Sequence, residues 1–265
     1  MDLRALLQSP STKASAPYYR TKLSVHNMTY YNCGTKEAFC YTYDETQGDL
    51  SSYMFASLHH QHFSSYITKN PGIKRTVLWS DGCGYQKRCT AVPNAFLQLS
   101  SETGVSIEHK YLVPGHTQME CDSIHNTNER EETSGRHFLA TVMKLSRQNS
   151  GPYEVNEITY KDARKLSPDF LKSIRPMRKI GDPKVTDVRA YKYFKSEDGV
   201  KMMYKLNWED DSQKMPFRIV YEVKTWTPLY DQRLLISSRK FEDLQAMKAV
   251  MPQFAHEFYA NLTQD

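Results

Sequence analysis

Residues 22–32, KLSVHNMTYYN, and 37–45, EAFCYTYDE, are two runs rich in β-branched and aromatic side chains. They flank a glycine-containing turn at Cys33-Gly34-Thr35, which predicts an antiparallel hairpin. From 49 to 67, Leu50, Tyr53, Met54, Leu58, Phe63 and Ile67 recur at roughly helical spacing, and Asn70-Pro71-Gly72 supplies the stop. IKRTVLWS, at 73–80, is a short apolar run between turn signals and predicts a buried central strand. Pro93 suits the first turn of a helix through NAFLQLSS. GVSIEHKYLV, at 104–113, alternates like a strand and is closed by Pro114-Gly115. Helices are expected from about Gln118 and over 136–148, the second burying Phe138, Leu139, Val142, Met143 and Leu145.

Hairpin, helix, strand, helix, strand, helix, helix is the order expected of an α/β fold, a mixed sheet with helices on its faces. Residues 10–17, PSTKASAP, read as a loop, and Asn149-Ser150-Gly151-Pro152 is the best internal boundary. Beyond it, strand-like runs at 153–160, 185–194, 200–208 and 217–226 are separated by charged turns. An amphipathic helix from about Ser238, carrying Phe241, Leu244, Met247 and Met251, ends the chain. The pattern therefore divides into a core at 1–150 and a β-rich extension at 151–265 that finishes in a helix.

Composition narrows the class. The 265 residues are enough for one large domain or two smaller ones, and 39% apolar with 25% charged is ordinary for a globular chain. No run approaches the roughly 18 apolar residues of a membrane span, and MDLRALLQSP is too short an apolar run for a signal peptide. Five cysteines (33, 40, 83, 89 and 121), with no CxxC pair, read as reduced thiols of a nuclear or cytoplasmic protein that is not secreted. Cys83 and Cys89 with one of His59, His60 or His62 would be a zinc set, although the spacing is not that of a standard site.

The net charge of +5 is concentrated. Between Arg164 and Lys184 lie seven cations (Arg164, Lys165, Lys172, Arg175, Arg178, Lys179, Lys184) and two acids, Asp169 and Asp182. That excess equals the excess of the whole chain and suits either a polyanion partner or a solvated basic surface. The 18 tyrosines offer stacking surfaces for bases, but tyrosines on strands more commonly pack in a core.

Two segments carry acids in positions that chemistry could use. In VLWSDGCGYQKRC, residues 77–89, Asp81 stands where an apolar run stops. Gly82 and Gly84 allow a tight turn and close approach of a ligand, and Gln86, Lys87 and Arg88 follow. Cleavage of phosphodiesters by two metal ions needs carboxylates from several elements, and open sheets collect such sites at the carboxyl ends of parallel strands. An Asx turn or a cap is the structural alternative for Asp81. In GHTQMECDSIHNTNERE, residues 115–131, Thr117 and Glu120 form a capping box. Asp122, His125, Asn126 and Glu129 then share one helix face, with Glu120 nearly opposite. Asp122 is the candidate acid, and His125 and Glu129 can orient it, touch phosphate or assist a metal. A solvated polar stripe is the alternative. His116, beside the helix start, is a lesser candidate.

WSDGCGYQ, GHTQMECDSIH and the earlier YYRTKLSVHNM and AFCYTYDETQGDLSS together resemble a large, mostly uncharacterised family of transposon-derived proteins of animal genomes, whose members look like DDE-type nucleases of RNase H fold. The resemblance covers most of residues 1–150 and extends more weakly to LLISSRKFEDLQAM and HEFYANL. It implies an RNase H-like mixed sheet in which adjacent strands carry the first two catalytic acids and a later helix the third. The family's first acid ends a strand ahead of a leucine- and proline-containing loop, which MDLRALLQSP matches, placing that acid at Asp2. The implied triad is Asp2, Asp81 and Asp122, the last two 41 positions apart, holding Mg²⁺ or Mn²⁺ for cleavage or transfer of DNA. Lys87, Arg88, Arg164, Lys165, Lys172, Arg175, Arg178 and Lys179 would follow the DNA backbone.

The family's strand before the first acid would precede Met1, and in that case Asp44 or Glu45, ending EAFCYTYDE, is the substitute. Enzymes of this type commonly act as multimers, and a full-length relative is expected to carry a separate DNA-binding domain upstream. The alternative function is a domesticated, inactive descendant that binds nucleic acid or a protein partner.

Overall fold

The computed structural model describes residues 1–4, 6–10, 19–82, 89–113, 118–125, 146–147, 151–167, 187–214 and 225–265. The first half of the chain contains β1 (Asp2–Leu3), β2 (Leu7–Ser9), β3 (Leu23–Tyr31), β4 (Ala38–Asp44), α1 (Ser52–Lys69), β5 (Arg75–Ser80), α2 (Ala91–Thr103) and β6 (Ser106–Tyr111). Residues 120–125 are helical. There follow β7 (Ser146–Arg147), β8 (Gly151–Pro152), β9 (Glu154–Glu157), β10 (Arg164–Ser167), β11 (Ala190–Ser196), β12 (Gly199–Lys205), β13 (Gln213–Lys214) and β14 (Thr225–Pro228). The chain closes with α3 (Ser238–Met247) and α4 (His256–Ala260). The fold is mixed α/β, with helices against mixed sheets. Among the described residues no helix is long and apolar enough to cross a membrane.

Two compact units are each assembled from separated segments: 1–49, 118–162 and 230–265 form one, and 50–117 with 163–229 form the other. In the first unit, β1 and β2 both pair antiparallel with β3, β3 pairs antiparallel with β4, and β9 adds to β4 in parallel. The expected hairpin is thus present, in a register that sets Thr29 opposite Cys40. Its turn is held by Asn32, whose side-chain oxygen accepts from the Gly34 and Thr35 amides. α3 starts at Ser237, whose hydroxyl accepts from the Lys240 amide. Leu244 and Met247 on its inner face pack with Leu23, Met251, Ala255 and Tyr259.

In the second unit the strand order is β13-β12-β11-β6-β5, with β5 and β6 parallel and the other pairs antiparallel. β10 and β14 form a separate antiparallel ribbon. The run from β5 through α2 to β6 is a βαβ unit, and α2 lies on this sheet. α1 begins at Ser51, whose hydroxyl accepts from the Met54 amide, and it stops at Asn70 as the Asn-Pro-Gly signal predicts. Pro93 sits in the first turn of α2, where a missing N–H costs nothing. Gly104 ends that helix at φ 71°, left-handed backbone that a side chain disfavours.

Three expectations need correction. β5 is the terminal strand of the described sheet, not a central one. Its apparently continuous apolar run alternates: Leu78 and Ser80 are buried, whereas Val77 and Trp79 are 40% and 43% exposed. Within the helix expected over 136–148, Ser146–Arg147 instead pairs with Gly151–Pro152; residues 136–145 lie outside the described residues. The strand expected at 185–194 is displaced along the chain, to Ala190–Ser196, and the described end of the strand expected at 217–226 lies in Thr225–Pro228. In β11, tyrosines alternate with Lys192 and fix the period; residues 217–224 lie outside the described residues.

The second unit also carries a pH liability. His62 is buried against Phe63 and Tyr66, and burial disfavours its imidazolium, bringing its pKa down from 6.5 to about 3. The unfolded chain therefore takes up this proton first, so stability is complete above pH 6.5 and falls as pH drops from 6.5 towards 3. At pH 5 the expected loss is about 2 kcal/mol relative to neutral pH. His26, in the first unit, is shifted in the same direction by burial. Denaturant unfolding at pH 7.5 and pH 5 checks this. His62→Leu should flatten the pH dependence, and an unchanged slope would remove His62 from the account.

Candidate metal centre

The pairing of the first strand with the third places Asp2. β1 pairs antiparallel with β3 so that Asp2 lies opposite Thr29, and the Arg4 amide continues the ladder by donating to the Asn27 carbonyl at 3.0 Å. The helical residues 120–125 present Asp122 and His125 from the other side. That segment docks through Cys121, Ile124 and His125, all buried, on the i, i+3, i+4 stripe. Ile124 joins Ala38, Cys40 and Tyr153 in a small core, and the Cys121 thiol reaches the Thr29 carbonyl at 3.7 Å.

Among the described residues, Asp2, Asp122 and His125 form a group in which one ligand atom from each lies within 4.8 Å of the others. Asp2 and Asp122 are half-buried and His125 is buried. The donor set is two carboxylate oxygens and one imidazole nitrogen. Such a set fits a divalent cation, with the nitrogen better suited to Mn²⁺ than to Mg²⁺.

Thr29 organises the centre. His125 Nε2 and Thr29 Oγ1 are 3.1 Å apart, and Asn27 Nδ2 donates to the same hydroxyl at 3.2 Å. Asp122 also closes the start of its own helical segment, where one of its carboxylate oxygens accepts from the Met119 amide at 2.9 Å, three residues back. That is the reciprocal contact of a capping box. The sequence assigns this contact to Glu120, which is exposed in the structure and half a turn away. Thr117, its expected partner, lies outside the described residues.

Asp81 immediately follows the carboxyl end of β5, in the second unit, and is not one of the three grouped residues. The Ser80 hydroxyl donates to the Asp81 carbonyl at 3.0 Å and is 2.8 Å from His109 Nε2, which ties the end of β5 to β6.

The substitutes considered for Asp2 are engaged elsewhere. Asp44 accepts from both the amide and the hydroxyl of Thr46, and burial raises its pKa. Glu45 accepts from the Ser24 amide at 2.7 Å and binds Lys240 Nζ at 2.8 and 2.9 Å. Asp44 holds the turn that follows β4, and Glu45 ties β3 to α3.

The zinc set includes Cys83 and so lies partly outside the described residues. His60 bonds Glu102 at 2.9 Å, His59 stacks on Phe96, and among the described residues Cys89 joins no group of three ligands. Cys83 lies outside the described residues, as do Lys87, Arg88, His116, Glu129, Lys172, Arg175, Arg178 and Lys179. Arg164 and Lys165 are exposed on β10.

Sequence reading missed Thr29 and Asn27. Their signal was two polar residues at i and i+2 of one strand, hence on one face, although Ser24 and His26 on the same strand obscure it. Comparisons with protein-family models, with curated proteins and with solved structures find no match.

Proposed function

We propose that the chain is a divalent-metal-dependent DNA nuclease or transposase catalytic domain of RNase H-like type, with Asp2, Asp122 and His125 as ligands of one cation. The observation that carries this reading is the convergence of those three side chains, from a strand and a helix start far apart in sequence, to within 4.8 Å. With Nε2 held by Thr29, Nδ1 is the ring nitrogen assigned to the ion. Bound there, Mg²⁺ or Mn²⁺ would supply Lewis-acid activation of a water or a 3′ hydroxyl. Asp2 and Asp122 contribute the negative charge that attracts the cation, and Thr29 fixes the imidazole plane. Asp81 is the further acid that the family resemblance adds, and its own variant tests it.

The decisive measurement pairs Mn²⁺ binding, by calorimetry, with cleavage of a labelled duplex and single strand. The expected result is binding of Mn²⁺ by the parent chain, together with metal-dependent cleavage that chelator abolishes. Mn²⁺ binding lost in Asp2→Asn and retained in Asp81→Ala would assign the ion to the described group. No Mn²⁺ binding by the parent would overturn the reading in favour of a non-catalytic descendant that binds nucleic acid or protein.

A further inference from the structure

The sheet of the second unit has two unlike faces. α2 and the buried residues Ile107, His109, Tyr191, Tyr193 and Met202 occupy one of them. On the other, alternation brings cations and indoles together across strands that are distant in sequence. One row in register runs Trp79, Lys110, Ala190, Lys205 across β5, β6, β11 and β12. The next row, two residues along each strand, runs Val77, Glu108, Lys192, Met203, and Arg75 lies beyond it.

Trp79 stacks on Trp208 with ring centroids 5.4 Å apart at 30°, and Lys110 Nζ lies 5.3 Å from the Trp79 ring. Lys110 and Trp208 help to line a depression together with Arg75, Glu108, Lys192 and Lys205. Its exposure is substantial: the Arg75 side chain is 59% exposed and that of Lys192 is 43% exposed.

The charge balance selects the partner. Four cations face one carboxylate, Glu108, which lies within 4.0 Å of Arg75, Lys110 and Lys192. The residues lining the strands keep a net positive charge after that neutralisation, while Glu209, Asp210 and Asp211 follow Trp208 in the chain, so an anionic partner is complementary to the Lys110, Lys192 and Lys205 side of the depression. Paired, partly exposed indoles at one end call for planar rings, which Asp and Glu side chains lack and a duplex hides within its stack. Rows about 7 Å apart and strands about 4.8 Å apart place the cations at spacings a sugar–phosphate backbone can follow.

We infer that this open face is a docking surface for a single strand of DNA, with an exposed base against the Trp79–Trp208 pair and phosphates along Lys110, Lys192 and Lys205. The choice of DNA over RNA rests on the proposed nuclease reading. The strandedness and the location do not.

Fluorescence anisotropy with a labelled oligothymidylate, in EDTA, tests the surface without the metal centre. Trp79→Ala should weaken binding by on the order of 10-fold, and intrinsic tryptophan fluorescence should be quenched on binding by the parent. Lys192→Glu, a surface change that keeps the fold, should weaken binding and lower the salt dependence by about one released counterion. Asp122→Asn should bind like the parent, so failure of the metal reading leaves this result intact.

Unchanged affinity in both Trp79→Ala and Lys192→Glu, with circular dichroism intact, would overturn the proposal. So would a duplex that binds as tightly as the single strand and is indifferent to Trp79. Oligouridylate bound tenfold tighter than oligothymidylate would overturn the assignment to DNA.

Discussion

Asp122→Asn is expected to lower manganese-dependent DNA cleavage by on the order of 100-fold or more, since losses even of groups that only orient a ligand cost 10–100-fold. The chain should stay folded. Asp122 has two roles in the structure, as one of three convergent ligands and as acceptor for the Met119 amide that starts the helical segment. Asparagine keeps a side-chain oxygen for that amide but removes the negative charge needed by a cation. Alanine removes both, so Asp122→Ala should add a stability loss of about 1 kcal/mol, as loss of an N-terminal cap does. Measuring cleavage and thermal midpoint on both variants separates the roles. Cleavage by Asp122→Asn equal to the parent's would sink the assignment of Asp122 as a ligand.

Phe96→Ala should destabilise the second unit by about 3–5 kcal/mol, a large share of the stability of an ordinary domain. Phe96 is fully buried on α2, where it contacts four rings. It stacks on His59 at 5.6 Å, meets Phe63 and His109 edge-on at 5.8 and 5.6 Å, and lies 5.6 Å from Tyr193. Removing it opens a cavity where α1, α2, β6 and β11 meet, and the surrounding rings are too stiff to fill it. The thermal midpoint of that unit should fall by roughly 10 °C. A fall of only a degree or two would mean that this cluster relaxes around the loss and does not hold the helices to the sheet. Phe96→Leu, which keeps more of the volume, should recover part of the difference.

What was legible in the sequence lies within a few residues of its signal. The β3–β4 hairpin follows from two β-rich runs around the Asn32 to Thr35 turn. The extent of α1 follows from the helical spacing of Leu50 to Ile67 and from Asn70-Pro71-Gly72. Pro93 marks the first turn of α2, and the 3.6-residue period of Leu244 and Met247 marks the buried side of α3. Asp81 and Asp122 stood out because each sits at an element's end, a position that local pattern marks.

Tertiary structure alone decided what depends on pairing between distant segments. A period of two says that β5 has two unlike faces, but only the assembled sheet places β5 at the end of the described strands and sets Trp79 on the face opposite α2. β9 lies beyond the compositional boundary at 149–152, yet it adds to β4, because a strand joins whichever edge its burial satisfies. Asp2 meets Asp122 and His125 through β1 on β3 and through a helix start docked by Cys121 and Ile124. Thr29 acquires its role only when that helix arrives. Caps and periodicities are short-range and written residue by residue, whereas convergence is set by buried area summed over segments more than a hundred positions apart, which no single stretch of sequence contains.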